Sequence, residues 1–333
     1  MRQVIIAAEL SLFLLFLFPL TLLGKAPLDS GGETTRSEST LPPRPTAAST
    51  VGSADAAVQV RIRLEDEVVT LTMEDYLWRV VAAEMPASFA PEALKAQAVA
   101  ARTYTFYKMA HPSANHPDAD VCADINCCKA YIAPEEAAVN WGTSAAAYAQ
   151  KIRDAVSATD GLAVLYEDEP IQAVFHSSSA GKTKDAVAVW GNAVPYLVGV
   201  DSPEGEEVPN YVTTVTVPVA QFRETFLAAY PAADLSGAPE SWFGSASEDG
   251  ASRTVGSVAV DNTRLRALFS LRSATFTIAA DEAAVTFTVT GYGHGVGMSQ
   301  YGANALAKEG KTCEEILTWY YTGTTVAPYT PPS

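Results

Sequence analysis

Residues Glu74-Asp-Tyr-Leu-Trp-Arg-Val-Val-Ala-Ala-Glu84-Met-Pro86, followed by Pro91-Glu-Ala-Leu-Lys95-Ala-Gln-Ala-Val-Ala-Ala-Arg102-Thr-Tyr104, have the pattern of two helices joined by a short turn. Thr72 with Asp75 three residues on reads as a capping box, and Leu77, Val80, Val81 and Glu84 recur at i, i+3, i+4 and i+7. A carboxylate thus ends an otherwise apolar stripe. Pro86 stops the helix near Met85, which places Glu84 in the last turn. There the negative end of the helix dipole and apolar neighbours both disfavour ionisation, so the spacing predicts a raised pKa. In the Ala-rich second helix, opened by Pro91, Lys95 and Arg102 share a face that can look toward Glu84 or toward an acidic ligand. The alternative is an ordinary helical hairpin in which Arg102 pairs with a carboxylate.

Working outward, the first residues do not look foldable as a globule. Arg2 precedes an apolar run from Val4 to Leu23 broken only by Glu9, which fits a membrane anchor or a signal peptide over residues 1–28. We expect the anchor, because the run approaches spanning length and no clean cleavage site follows it. Residues 29–56 are rich in Ser, Thr, Pro, Gly and Ala without apolar periodicity and read as a disordered tether. Residues 57–333 are then the working domain, outside the cytoplasm, and secreted if the N-terminal segment is cleaved. The formal charge of −16, from 38 acidic and 22 basic residues, argues against a nucleic-acid partner.

Alternation at Val58, Val60, Ile62 and Leu64, then Val68–Leu71, predicts a hairpin feeding the first helix. A helix is expected around Ser144–Ser157. Strands are expected near Leu162–Tyr166, Ile171–Phe175, Tyr211–Val217, Ala274–Ala279 and Val285–Val289, and terminal helices at Met298–Lys308 and Cys313–Tyr320. Helices and strands interleave without a βαβ rhythm, which points to an α+β fold, a mixed single domain, rather than a doubly wound sheet.

Three further segments carry chemistry. His116, Cys122, Cys127 and Cys128 could form a closed Cys₃His zinc site; a Cys122–Cys127 or Cys122–Cys128 disulfide is the alternative outside the cytoplasm. A nucleophilic cysteine with His176 or His294 as base is a third option, unmarked by any local motif. His176-Ser177-Ser178-Ser179-Ala-Gly181-Lys-Thr183 gathers hydroxyls and an imidazole that suit sugar hydroxyls. Its Gly-Lys-Thr is no phosphate loop, since the required first Gly is His176, and no G-x-S-x-G elbow surrounds the serines. Gly291-Tyr-Gly293-His294-Gly295-Val-Gly297-Met298-Ser299-Gln300 lets backbone approach a ligand closely near a helix start.

Together these segments resemble the stage II sporulation protein D (SpoIID) family, membrane-anchored peptidoglycan lytic transglycosylases related to the amidase-enhancing LytB proteins. The resemblance runs through VVAAEMPASFAPEALKAQAVAARTY, HPDADVCADINCCKAY, VFHSSSAGKT with VPYLVGVDSPE, and GHGVGMSQYGANALA with ILTWYYTGT. It implies that Glu84 is the catalytic acid/base. It implies groove positions at Lys95, Arg102, His176, Ser177, Ser178, His294, Met298, Ser299 and Gln300, and a structural zinc on His116, Cys122, Cys127 and Cys128, with Cys127 where some members carry His. Tyr292 replaces an Arg common in the glycine-rich motif, so one groove cation is missing. The implied substrate is glycan freed of stem peptides, cleaved between N-acetylmuramic acid and N-acetylglucosamine to leave 1,6-anhydromuramic ends. The alternative is a non-cleaving glycan-binding module that stimulates an amidase. Implied partners are a cell-wall amidase and a membrane protein acting in engulfment, at the mother-cell membrane facing the septum.

Overall fold

The computed structural model describes residues 52–65, 67–247 and 250–332, which lie in one unit, Gly52–Ser333. The expected anchor and most of the expected tether lie outside the described residues. Residues 52–56 belong to the folded unit: Asp160 accepts hydrogen bonds from Ser53 Oγ and the N–H groups of Ala54 and Asp55, starting a short helix α1, Ala54–Ala57.

The hairpin β1 (Gln59–Leu64) and β2 (Glu67–Thr72) runs straight into α2 (Met73–Glu84), with Thr72 Oγ1 accepting from Asp75 N–H at 3.2 Å. Pro91 opens α3 (Pro91–Ala110), the central helix. It is buried nearly all round, as befits a helix enclosed by neighbours. Its alanines at 93, 96, 98, 100 and 101 let α2, α5 (Ala145–Ser157), α9 (Gln300–Lys308) and α10 (Cys313–Tyr320) approach closely. Between α3 and α5 lie β3 (Val121–Cys122), parallel to β1, and α4 (Pro134–Trp141). Strands β4 (Leu162–Tyr166), β5 (Glu169–Pro170) and β14 (Thr325–Pro328) form a small antiparallel sheet packed on α3. The fold is α+β, as the sequence pattern predicts.

The expected strand at Ile171–Phe175 is broken. Only β6, Phe175–His176, pairs, in parallel with β13, Met298–Ser299. The intervening residues fold back on themselves, Ala173 N–H bonding Ile171 C=O and Val174 N–H bonding Gln172 C=O. This two-residue pairing brings the serine loop beside the glycine loop.

After the short α6 (Ala186–Trp190), residues 212–290 build a second apolar core. The antiparallel sheet of β7 (Val212–Pro218), β12 (Ala284–Thr290) and β11 (Phe276–Ala280) has Val215, Phe287 and Ile278 in register. Against it pack α7 (Val219–Ala229), a smaller sheet of β8 (Phe243–Ala246), β9 (Ser252–Val255) and β10 (Val258–Asp261), and α8 (Asn262–Leu268). Phe222 stacks with Phe226 and Phe269 at ring separations of 5.5 and 4.8 Å, an arrangement that anchors this core on aromatic packing.

Candidate active site

Glu84 ends α2 because Met85 turns extended ahead of Pro86. The residue is half-buried, and its carboxylate accepts a 2.8 Å hydrogen bond from Ala130 N–H. Desolvation pushes its pKa above the ordinary carboxylate range; Lys129, Ala130 and the Gln300 side chain pull the other way. The direction matches the expectation, but desolvation is its leading cause.

Lys129 was not visible as a site residue in the sequence. Its Nζ lies 3.6 Å from the Phe175 ring centroid and 4.2 Å from that of Tyr104, and burial lowers its pKa to about 8. Lys129 and Ala130 directly follow Cys128, so the loop that leaves the cysteine cluster delivers both groups to Glu84. Gln300 Nε2 donates to Gln97 Oε1 at 3.3 Å; Gln97 is fully buried, and its own Nε2 has no partner among the described residues.

The ligand atoms of His116, Cys122, Cys127 and Cys128 all lie within 4.8 Å of one another, and all four cysteines are free thiols. His116 Nδ1 donates to Ala119 C=O at 3.0 Å, leaving Nε2 facing Cys128 Sγ at 3.3 Å. A tetrahedral zinc wants this arrangement: three soft sulfurs, one imidazole nitrogen, and a second-shell carbonyl that fixes the tautomer. The donor set therefore fits the metal. Tyr104 Oη donates to Cys127 C=O at 3.3 Å, tying the loop to α3.

The serine and glycine loops bond chiefly to each other. His176 is buried; its Nδ1 donates to Val296 C=O at 3.2 Å and its Nε2 accepts from Ser179 Oγ at 2.8 Å. His294 Nδ1 accepts from Val296 N–H at 3.1 Å and its Nε2 donates to Phe175 C=O at 3.0 Å. Burial drives the His176 pKa well down and that of His294 to about 4, so both rings are neutral at pH 7. With both nitrogens of each ring engaged, neither is poised as the base of a cysteine nucleophile. The glycines serve packing. A Cβ at Gly293 (φ +117°) would stand 2.7 Å from His176 Cβ, and one at Gly297 (φ +70°) 2.2 Å from Val174 C=O.

Glu204, buried and unassigned by sequence reasoning, knots this region together. Oε1 accepts from Ser179 N–H at 2.5 Å and from Ser299 Oγ, and Oε2 from Ser202 Oγ at 2.5 Å, which also contacts Tyr320 Oη at 2.7 Å. Ser299 caps α9 and precedes Gln300, so Glu204 fixes the helix start that presents Gln300 to Glu84. Its only sequence signal is its place in the DSPE run.

Of the expected groove residues, the structure gathers Glu84 and Gln300 at one point. Ser177 and His294 retain partial exposure, whereas His176, Ser178, Met298 and Ser299 are buried behind the surface. Lys95 pairs with Glu92 at 2.7 Å. Arg102 lies in the core, bidentate to Asp55 at 2.8 and 2.6 Å. Its partner is a carboxylate of α1, not Glu84.

The family model described as "Stage II sporulation protein" matches residues 64–166, the span that holds both Glu84 and the Cys₃His cluster. Stage II sporulation protein D of Bacillus subtilis (strain 168) is 37% identical over 291 residues, covering 86% of this chain and 83% of that protein. That of Bacillus amyloliquefaciens is 35% identical over 282 residues, covering 84% and 81%. The chain belongs to the stage II sporulation protein D family. It is also similar to the "Amidase enhancer" of Bacillus subtilis (strain 168), at 27% identity over 312 residues, 75% of this chain and 40% of that protein.

Proposed function

We propose that the protein is a peptidoglycan lytic transglycosylase in which Glu84 is the single acid/base. The observation that supports it most directly is the balance of forces at this carboxylate. Desolvation favours the protonated form needed to protonate the glycosidic oxygen between N-acetylmuramic acid and N-acetylglucosamine. Lys129, Ala130 N–H and Gln300 favour the carboxylate left behind, which then takes the proton of the muramic C6 hydroxyl as that oxygen closes on C1. The leaving sugar gains one proton and the catalyst regains one, so no water is consumed. One carboxylate suffices, whereas hydrolysis divides the work between two.

His116, Cys122, Cys127 and Cys128 would hold a structural zinc, whose chemistry is to close the loop that carries Lys129 and Ala130. We place the protein at the outer face of the mother-cell membrane, held by its N-terminal segment, acting on septal wall during sporulation and engulfment beside a membrane protein partner. The similarity to the amidase enhancer favours a second reading, a glycan-binding module that stimulates a cell-wall amidase. Peptide-free glycan strands incubated with the protein and with Glu84→Gln, analysed by mass spectrometry, test the first. Anhydromuramic ends from the wild type alone are expected. Reducing ends, or no cleavage with glycan still bound, would overturn it, and the second outcome would favour the module.

A further inference from the structure

Gln97 lies in the middle of α3, fully enclosed and flanked by the alanines at 93, 96, 98, 100 and 101, which offer it no side-chain partner. Its Oε1 accepts from Gln300 Nε2 at 3.3 Å, while its own Nε2 is buried without a partner among the described residues. An orphaned buried N–H is rarer than an under-used carbonyl oxygen, so this one calls for a physical account. Turning both amides through half a turn removes it. Gln97 Nε2 then donates to Gln300 Oε1, and the idle atom becomes an oxygen. The motion is soft, because the terminal amide torsion is broad and two-fold and exchanges two atoms of nearly equal size. Both arrangements keep one hydrogen bond between the glutamines. They differ in what Gln300 presents to Glu84.

In the arrangement observed, the Gln300 side chain donates to the Glu84 carboxyl, beside Ala130 N–H at 2.8 Å. Ala130 N–H and the Lys129 ammonium are donors only, so they serve the carboxylate and give the O–H of the acid nothing to bond. A glutamine amide can do both. The other titratable groups on the elements packed here are occupied or remote: burial keeps the Tyr76 hydroxyl of α2 protonated, and Arg79 of α2 pairs with Asp75. Lys95 and Arg102 of α3 pair with Glu92 and Asp55, Lys151 of α5 donates to Phe89 C=O, and Glu135 and Glu136 of α4 are exposed.

We infer that Gln97 and Gln300 turn as a pair with the proton of Glu84: Gln300 shows its amide nitrogen to the carboxylate and its carbonyl oxygen to the acid, and Gln97 makes the matching half-turn. Gln97 is then a positioning residue, which holds the Gln300 amide aligned with Glu84 in either sense. The pair rests on Glu84 as a carboxyl that gives a proton and takes one back, the reading proposed above.

The full chain, with its glutamine side-chain amides labelled with nitrogen-15, is titrated by NMR beside Glu84→Gln, and Gln97→Met and Gln300→Met assign the two signals. As Glu84 takes up its proton, the Gln97 amide protons should move downfield, having gained an acceptor, and those of Gln300 upfield, having left a carboxylate, with one shared midpoint. Neither should move in Glu84→Gln. Three results overturn the pair: a Gln97 amide that does not titrate, two amides that move in the same direction, as a change of charge without rotation would give, or a titration that survives in Glu84→Gln. Circular dichroism checks that the Met variants fold; where one does not, neutron diffraction from wild-type crystals grown above and below the midpoint reads the amide orientations directly. In turnover, Gln97→Met should lower kcat about tenfold or more, the scale of one hydrogen bond to a charged group, with KM unchanged. An unchanged kcat would overturn the positioning role. The titration needs no turnover, so a wild type that cleaves nothing would remove the transglycosylase and still leave the pair decided by its own signals.

Discussion

Arg102 is the residue whose sequence reading and structural position differ most, and Asp55→Ala tests its position. Arg102 Nε and Nη2 donate to the two Asp55 oxygens at 2.8 and 2.6 Å, while Nη1 donates to Leu162 C=O at 3.1 Å; the two side chains are 0% and 2% exposed. Removing one partner of such a pair strands a charge in low dielectric and costs about 3–5 kcal/mol. For a folded unit spanning Gly52–Ser333, an unfolding entropy of roughly 2 cal/mol/K per residue gives about 0.6 kcal/mol per degree, so the melting temperature should fall by about 5–8 °C. Replacing both groups by apolar ones, Asp55→Leu with Arg102→Met, should return stability to within about 2 kcal/mol of the wild type, because no charge is then stranded. Thermal melts followed by circular dichroism report both numbers. The double variant should bind peptide-free glycan as the wild type does. If Asp55→Ala melts within a degree of the wild type, the pair is not the buried clamp described. A double variant that folds but no longer binds glycan would return Arg102 to the groove.

Glu204→Ala leaves the Ser179 N–H and two hydroxyls without their acceptor; at about 1–3 kcal/mol for each buried unpaired group, it should destabilise by at least about 3 kcal/mol in a denaturant titration. Loading with zinc should raise the melting temperature, and a chelator should lower it to that of His116→Ala; equal melts with and without metal would remove the structural zinc. Activity should fall as pH rises through the raised Glu84 pKa, since the proton donor is then lost, and Lys129→Met should move that limb to higher pH by removing a charge that favours the carboxylate. Stability has a related slope. Because Glu84 binds its proton more tightly folded than unfolded, it stabilises at pH values below the ordinary carboxylate range and loses that contribution as pH rises through the raised value. Glu84→Gln should therefore gain on the wild type as pH rises, read from paired melts.

Most of the first core was legible because its signals are local: the apolar stripe of α2, Pro86 and Pro91 as punctuation, and the alternation in β1 and β2 all act within a turn or a strand. That His116, Cys122, Cys127 and Cys128 come together was legible for the same reason, since they lie within thirteen positions. The elements between Val219 and Leu268 went unread, since short strands and helices there are held by an aromatic core assembled across residues 212–290, with weak periodicity in each piece. Arg102 and Asp55 are separated by 47 positions, and periodicity places a residue on a face without naming what that face meets. The glycine loop was read as open to ligand because glycine permits close approach of any group. The group that approaches is the neighbouring loop.

Glu84 is set by three separate stretches of chain: Lys129 and Ala130 from the cysteine loop, Gln300 from the start of α9, and its own place at the end of α2. Each stretch is fixed by a cluster away from the carboxylate. The Cys₃His set anchors the first, Glu204 with its serine donors the second, and the packing of α2 on α3 the third. In the proposed mechanism Glu84 gives a proton and then takes one back, which needs opposed influences on it, and these depend on distances that a flexible loop would blur. In that mechanism the buried histidines and serines of the two loops matter by holding Gln300 and Phe175 in place, even where substrate does not reach them.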